Sequence, residues 1–157
     1  MPRAIILDTF PLSCISKSQG IVIGETDQCR DWIFSCATAG NPIYVPEISY
    51  YEVLRELERR GANSQRAKLK AFCNALPNRY ILITTEIVEA SAILWGQSRN
   101  MGKQTSNDSG IDGDMILIAQ ALSLNLLPDE YVIATTNEKH LSPFAQASHW
   151  KSIPPGS

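Results

Sequence analysis

The sequence predicts a three-layer α/β/α domain with a mostly parallel central sheet of four to five strands, and three observations predict it. Short apolar runs rich in branched residues alternate with longer segments of helical periodicity. The runs at 4–7 and 131–134 are unbroken, as expected of strands buried on both faces. Polar residues follow those runs directly: Asp8 after the first, and Thr135, Thr136 and Asn137 after the last. That is the edge at which open parallel sheets place their ligands.

Taken in order, residues 4–7 form the first strand, and Asp8-Thr9-Phe10-Pro11 makes a turn from which Pro11 can open a helix. Residues 27–36 read as a helix closed by Gly40, residues 42–45 as the second strand, and residues 47–60 as a helix ended by Gly61. Ser64 caps a further helix to about Leu76, where Pro77-Asn78 turns the chain. Residues 80–83 make the third strand, and Thr85 caps a helix running to about Asn100. Residues 102–110 form a polar loop, and residues 115–126 are apolar around nearly the whole helical circumference, which predicts deep burial. Residues 131–134 are the fourth strand, Asn137 can cap a short helix over 138–144, and residues 150–153 read as a short fifth strand. No repeat or linker interrupts the pattern, so residues 1–157 are expected to form a single domain.

Composition narrows the class. A hydrophobic fraction of 44% is ordinary for a globular chain. No apolar run approaches the roughly 18–20 residues that span a bilayer, and the apolar stretch before Asp8 is too short for a signal-peptide core. A cytoplasmic protein with no membrane partner is therefore expected. Cys14, Cys29, Cys36 and Cys73 form no Cys-x-x-Cys pair and lie far from His140 and His149, so buried free thiols are expected rather than a zinc site. The net charge of −2 argues against a nucleic-acid partner, yet six of the 14 basic residues fall between 55 and 70: Arg55, Arg59, Arg60, Arg66, Lys68 and Lys70. Glu56 and Glu58 interrupt them, so a solvated helix face and a basic ridge stand equally open.

The candidate chemistry lies in carboxylates. Asp8, at the end of a buried strand, reads singly as a turn or capping residue. Glu52 is harder to place. Helical periodicity puts Tyr50, Val53, Leu54 and Leu57 on the apolar face, and Glu52 nearly opposite with Arg55, Glu56 and Arg59. This favours an exposed glutamate paired with Arg55 or Arg59, with Ile48, one turn earlier, as the one sign that this face meets protein. Asp114 opens an apolar helix, where an acid suits the helix dipole and capping explains it as well as it explains Asp112. As a set the residues say more: three acids on three elements, with Asn137, can converge at one sheet edge. Clustered carboxylates repel one another unless a hard cation neutralises them. All-oxygen donors favour Mg²⁺ or Mn²⁺ over zinc. One or two such ions, two being typically ~3.5–4 Å apart, can activate water and brace a phosphate.

These residues carry a resemblance to the PIN-domain ribonucleases, in particular the VapC-type toxins of toxin–antitoxin pairs. Ile5-Ile-Leu-Asp8-Thr9 resembles the family's opening strand and first acid, and Val45-Pro46-Glu47-Ile48-Ser49-Tyr50-Tyr51-Glu52-Val53-Leu54 its second motif. Asp114-Met-Ile-Leu-Ile-Ala119-Gln-Ala121-Leu122 is similar to the third motif, and Ala134-Thr135-Thr136-Asn137 to the fourth, where relatives carry Asp or Asn. Each motif is loose alone; four in order are fairly specific. The resemblance implies a PIN-like fold and a Mg²⁺- or Mn²⁺-dependent endoribonuclease acting on RNA. It further implies an antitoxin whose tail enters the active-site groove, and a homodimer. Asp8, Glu52, Asp114 and Asn137 are then the catalytic set, with metal ligands Asp8, Glu52 and Asp114; for Glu52 the resemblance overrides periodicity. Arg55, Arg59 and Lys68 become candidate RNA contacts.

Three departures qualify the match. Phe10 stands where relatives usually have a small polar residue, Asn137 adds no charge, and the link at 125–130 is longer than usual. Asp112 is a further candidate acid, and one metal is better supported than two. Two other acidic α/β sites fail on specific residues. A haloacid-dehalogenase site needs an acid where Phe10 stands, and a receiver domain needs adjacent acids after its first strand and another after its third. A housekeeping RNA-processing PIN nuclease and a non-catalytic PIN-like binding module stay as alternatives, the second disfavoured by the presence of all three acids.

Overall fold

Along the first strand the side chains alternate between two cores. Ile5 and Leu7 join Val45, Val132 and Ala134 on one face, whereas Ala4 and Ile6 join Tyr131 and Ile133 on the other. A period-2 split with both faces apolar requires helices on both sides. The computed structural model, which describes residues 2–18, 24–102 and 112–156, supplies them. Strands β1 (Ala4–Leu7), β2 (Ile43–Pro46), β3 (Tyr80–Ile81), β4 (Tyr131–Thr135) and β5 (Ala147–His149) lie in the order β3-β2-β1-β4-β5. Every pairing is parallel, with Ile6 opposite Tyr44 on one side and Ile133 on the other.

The first face is covered by α1 (Thr9–Ser16), α2 (Glu25–Thr38) and α4 (Asn63–Asn74), through Leu12, Cys29, Trp32, Ile33 and Leu69 among others. The second is covered by α6 (Gly113–Leu122) and α7 (Glu138–Leu141), through Met115, Leu117, Ile118 and Leu141, with α5 (Thr85–Asn100) adding Leu94 and Trp95. Helix α3 (Glu47–Arg60) serves both cores: Val53 and Leu57 enter the first and Ile48 the second. Chain order explains the layers. Connections from β1 to β3 run over one face and those from β3 to β5 over the other, so the direction of winding changes between β1 and β4. In open α/β sheets the ligand crevice forms at that point, beyond the strands' carboxyl ends.

The expected three-layer α/β/α class stands, and several boundaries move. The fifth strand is Ala147–His149 rather than 150–153; Trp150–Ser152 is a 3₁₀ turn, begun where the Lys151 N–H donates to His149 Nδ1. The Trp150 ring goes into the core beside Trp32 instead of lying along an edge. β3 stops at Ile81 because the Ile83 N–H donates to Glu47 Oε1 and leaves the ladder. Thr84, not Thr85, caps α5, accepting from the Ile87 N–H. Ser64 lies inside the first turn of α4, which ends at Asn74 instead of running to Leu76. α6 ends at Leu122 rather than at 126, and the chain turns at Asn125 in the left-handed region (φ 56°). The short helix after Asn137 ends at Leu141, not 144. The polar loop lies, from residue 103 on, outside the described residues.

All four cysteines are buried free thiols, as expected. Burial pushes Cys36 and Cys73 up to about 11, which keeps them protonated at neutral pH. Among the described residues no helix is long and apolar enough to cross a membrane.

Candidate active site

Asp8 leaves the carboxyl end of β1, the middle strand, and becomes the N-cap of α1. Its Oδ1 accepts from the Thr9 N–H (2.7 Å) and its Oδ2 from the Thr135 hydroxyl at the end of β4 (2.7 Å). The side chain is thus locked across the crevice between the two central strands. Capping and site membership are here one geometry, since a carboxylate has about four lone-pair positions and two stay open.

Glu52 comes to the same place because the start of α3 is anchored. Glu47 accepts from the Tyr80 hydroxyl and the Ile83 N–H (2.8 Å each). The Ile48 N–H donates to Gln120 Oε1 (3.2 Å), and buried Gln120 donates in turn to the Ile81 carbonyl (2.6 Å). With Ile48 packed on the α6 side, the helix face one turn on carries Glu52 over the end of β1. There the Thr9 hydroxyl donates to Glu52 Oε1 at 2.7 Å, while Arg55 stands 3.8 Å from Oε2. The close packing of Gly113 against Glu52, where an added Cβ would lie 3.0 Å from Oε2, closes the site from α6.

Asp114 and Asp112 divide their work. Asp112 is the cap of α6, its Oδ1 accepting from the Asp114 and Met115 N–H groups (3.1 and 3.3 Å). Asp114 is thereby free of capping and faces the crevice. Desolvation, then the charges of Asp8 and Asp112, push its carboxyl up to about 6, with Glu52 adding to the rise and His140 opposing it. Asn137, at the N-cap of α7, makes no capping bond with its side chain; its N–H donates to Thr135 Oγ1 (2.9 Å) and its amide meets His140 Nδ1 (2.9 Å). His140 Nδ1 also stands 3.6 Å from Asp114 Oδ2. A neutral ring can accept from Asn137 there, and a protonated ring can donate to Asp114.

Asp8, Glu52, Asp114 and Asn137 line one open cavity of about 450 Å³, together with Thr9, Phe10, Ser13, Arg55 and Thr136. Among the described residues no three His, Cys, Asp or Glu side chains stand close enough to encage a metal ion. The donors are oxygens, and burial, with repulsion from the neighbouring acids, raises Asp114. Such a set suits a hard cation that keeps part of its water shell, as Mg²⁺ commonly does, better than one enclosed by protein. Of the candidate cationic contacts, Arg55 lines the cavity, and Arg59 and Lys68 do not. Arg59 and Arg60 pair with Glu56, and Arg66 with Glu58, so much of the basic run is a balanced helix surface. Three side chains went unassigned from sequence: Thr9 and Thr135 as hydrogen-bond donors to the acids, and His140. The spacing Asn137-x-x-His140, one turn of a helix, was the available signal for the last.

No protein-family model matches the sequence, and no curated protein matches it. Among solved structures, a chain from the crystal structure of VapBC2 from Rickettsia felis, bound to a DNA fragment from its promoter, superposes with a TM-score of 0.68. The match covers 94% of this chain and 98% of that one at 16% identity. The two chains share a fold, a PIN-like α/β domain with a parallel central sheet.

Proposed function

We propose that this chain is a metal-dependent endoribonuclease, hydrolysing RNA phosphodiester bonds at the cavity of Asp8, Glu52, Asp114 and Asn137. The observation that carries it is the convergence of those four side chains, from four different elements, on one open cavity at the point where the sheet's winding reverses. Asp8, Glu52 and Asp114 would hold Mg²⁺ or Mn²⁺, which would supply charge neutralisation at the phosphate and activation of water. Thr9 and Thr135 fix the carboxylates that do this, and Asn137 with His140 orders the far wall beside Asp114. Asp112 is a capping residue in this reading.

The fold shared with a chain of the VapBC2 structure, with the four-motif resemblance, supports the toxin of a toxin–antitoxin pair. The same reading takes RNA as substrate, a protein antitoxin and a second copy of the chain as partners, the cytoplasm as location, and residues 1–157 as one domain. Purified protein is expected to cleave single-stranded RNA with added Mn²⁺ or Mg²⁺ and to stop with chelator. Asp8→Asn and Asp114→Asn abolish cleavage with the fold retained by circular dichroism, and Glu52→Gln weakens metal dependence. Full activity in both aspartate variants would overturn the assignment.

A further inference from the structure

The cavity that holds the acids continues past Glu52. Thr9, Ser13 and Glu52 also line a second cavity of about 460 Å³ between α1 and α3. Its floor is apolar, formed by buried Val53 and Leu57. Ser13 and Ser16 line it from α1. Each hydroxyl donates to a backbone carbonyl one turn back, Ser13 to Phe10 and Ser16 to Ser13; Ser16 is fully buried, and the Ser13 oxygen keeps lone pairs open to accept, as does that of Thr9. Lys17 and Arg60 complete the lining, with Glu56.

The two cations sit at matched positions. Lys17 follows Thr9 by eight residues at the end of α1, and Arg60 follows Glu52 by eight at the end of α3. At ~1.5 Å of rise per residue both lie about 12 Å along the helices from the acid site. The Lys17 ammonium has no ion pair among the described residues. Among the described residues Arg60 has only the Glu56 carboxylate at 3.7 Å and Gln65 at 3.5 Å, exposed contacts of little energy that a phosphate can displace.

We propose that this α1–α3 cleft is a second subsite on the path of the nucleic acid. The proposal rests on the nuclease reading. A nucleotide about two along from the scissile bond lies with its sugar or base over Val53 and Leu57 and its phosphate between Lys17 and Arg60. Continuity with the acid cavity, an apolar floor, hydroxyl acceptors and two cations at one end suit a sugar–phosphate chain. An acidic peptide would use the cations alone.

The test compares wild type with Lys17→Gln/Arg60→Gln, and with Arg66→Gln/Lys70→Gln as a control of equal charge loss on α4. Thermal unfolding checks that each folds. For single-stranded RNA long enough to reach the cleft, the cleft variant is expected to raise KM roughly tenfold with kcat nearly unchanged. The slope of log(kcat/KM) against log[salt] becomes shallower by up to about 1.4, while the α4 control moves little. Lys17→Arg/Arg60→Lys restores both readouts. KM and slope equal to those of the α4 control would overturn the subsite. Fluorescence anisotropy with the same RNA in chelator reads the cleft apart from catalysis. RNA binding that depends on Lys17 and Arg60 without any cleavage by wild type sinks the nuclease reading and keeps the subsite. Unchanged RNA binding, with loss only of an acidic peptide, gives the cleft to a protein and overturns it.

Discussion

The Thr9 hydroxyl donates to Glu52 Oε1 across 2.7 Å, while the Thr9 N–H donates to Asp8 Oδ1 at the same distance. One residue thus sets the spacing between the first acid, on the middle strand, and the second, on a helix that begins beyond the neighbouring strand. Thr9→Val keeps the branched shape and the N–H and removes only the hydroxyl donor. Losing a partner of this kind typically costs about 10- to 100-fold in activity or metal affinity. Metal-titrated RNA cleavage by Thr9→Val should fall by that order, with Thr9→Ser restoring most of it. Equal activity in Val and Ser variants would show that Glu52 needs no orientation.

Asp114 makes the metal-free protein pH-sensitive. Its carboxyl is raised from 3.8 to about 6, so the native state binds the proton more tightly than the unfolded chain does. Below pH 4 the group is protonated in both states and costs nothing. As pH rises through 6 the native state must ionise it against desolvation and its acidic neighbours, and stability is lost. The shift corresponds to roughly 3 kcal/mol at most. Without metal, Asp114→Asn should therefore unfold at a higher temperature than wild type at pH 8, and the gap should close toward pH 4. Mg²⁺ should narrow the gap at pH 8 by stabilising wild type alone. A gap independent of pH would remove Asp114 from the acid cluster.

The strands and α3 were legible because their signals are local. Unbroken apolar runs mark β1 and β4, and Gly61, in the left-handed region at φ 64°, ends α3 at the residue expected. Ala147-Ser148-His149 has no strand pattern of its own; its conformation follows from pairing with Ile133–Thr135 of β4. Asp8, Asp114 and Asn137 could be placed because each follows a strand or opens a helix. Glu52 could be placed only through the resemblance, since periodicity registers the Val53–Leu57 face of α3 and misses the Ile48–Glu52 face that crosses the sheet edge toward α6. His140 meets Asp114 only because α7 folds back beside α6, a contact no local pattern encodes. The basic run left a ridge and a solvated helix face equally open in one dimension; in three, Glu56 and Glu58 neutralise much of it.

Gly113 separates activity from stability. It is the first residue of α6, outside the left-handed region, so alanine fits the backbone there without strain. The new Cβ would lie 3.0 Å from Glu52 Oε2 and 3.6 Å from Glu52 Cδ, the mobile end of a side chain. The carboxylate must move by a few tenths of an ångström or turn away from Thr9, and the rest of the chain need not. Gly113→Ala should leave the unfolding temperature unchanged or slightly higher, alanine being the better helix former. RNA cleavage should drop about tenfold, within the range for a misplaced catalytic group. Loss of stability with activity intact would mean that α6, not Glu52, yields.

Asp112 and Asp114 stand two residues apart, and their substitutions should behave in opposite ways. Asp112 Oδ1 accepts from two N–H groups in the first turn of α6, whereas the Asp114 side chain caps nothing there. Asp112→Asn keeps an acceptor oxygen at the cap and removes a negative charge near Asp114. It should retain most activity, and the midpoint of the Asp114 titration, followed by carboxyl NMR in metal-free protein, should move down toward ordinary carboxylate values. Asp112→Ala loses the cap and should cost about 1 kcal/mol in denaturant unfolding. Asp114→Asn should do the reverse, sparing or raising stability while abolishing cleavage. If Asp112→Asn silences the protein as fully as Asp114→Asn does, Asp112 belongs among the metal's ligands, and the capping role is secondary.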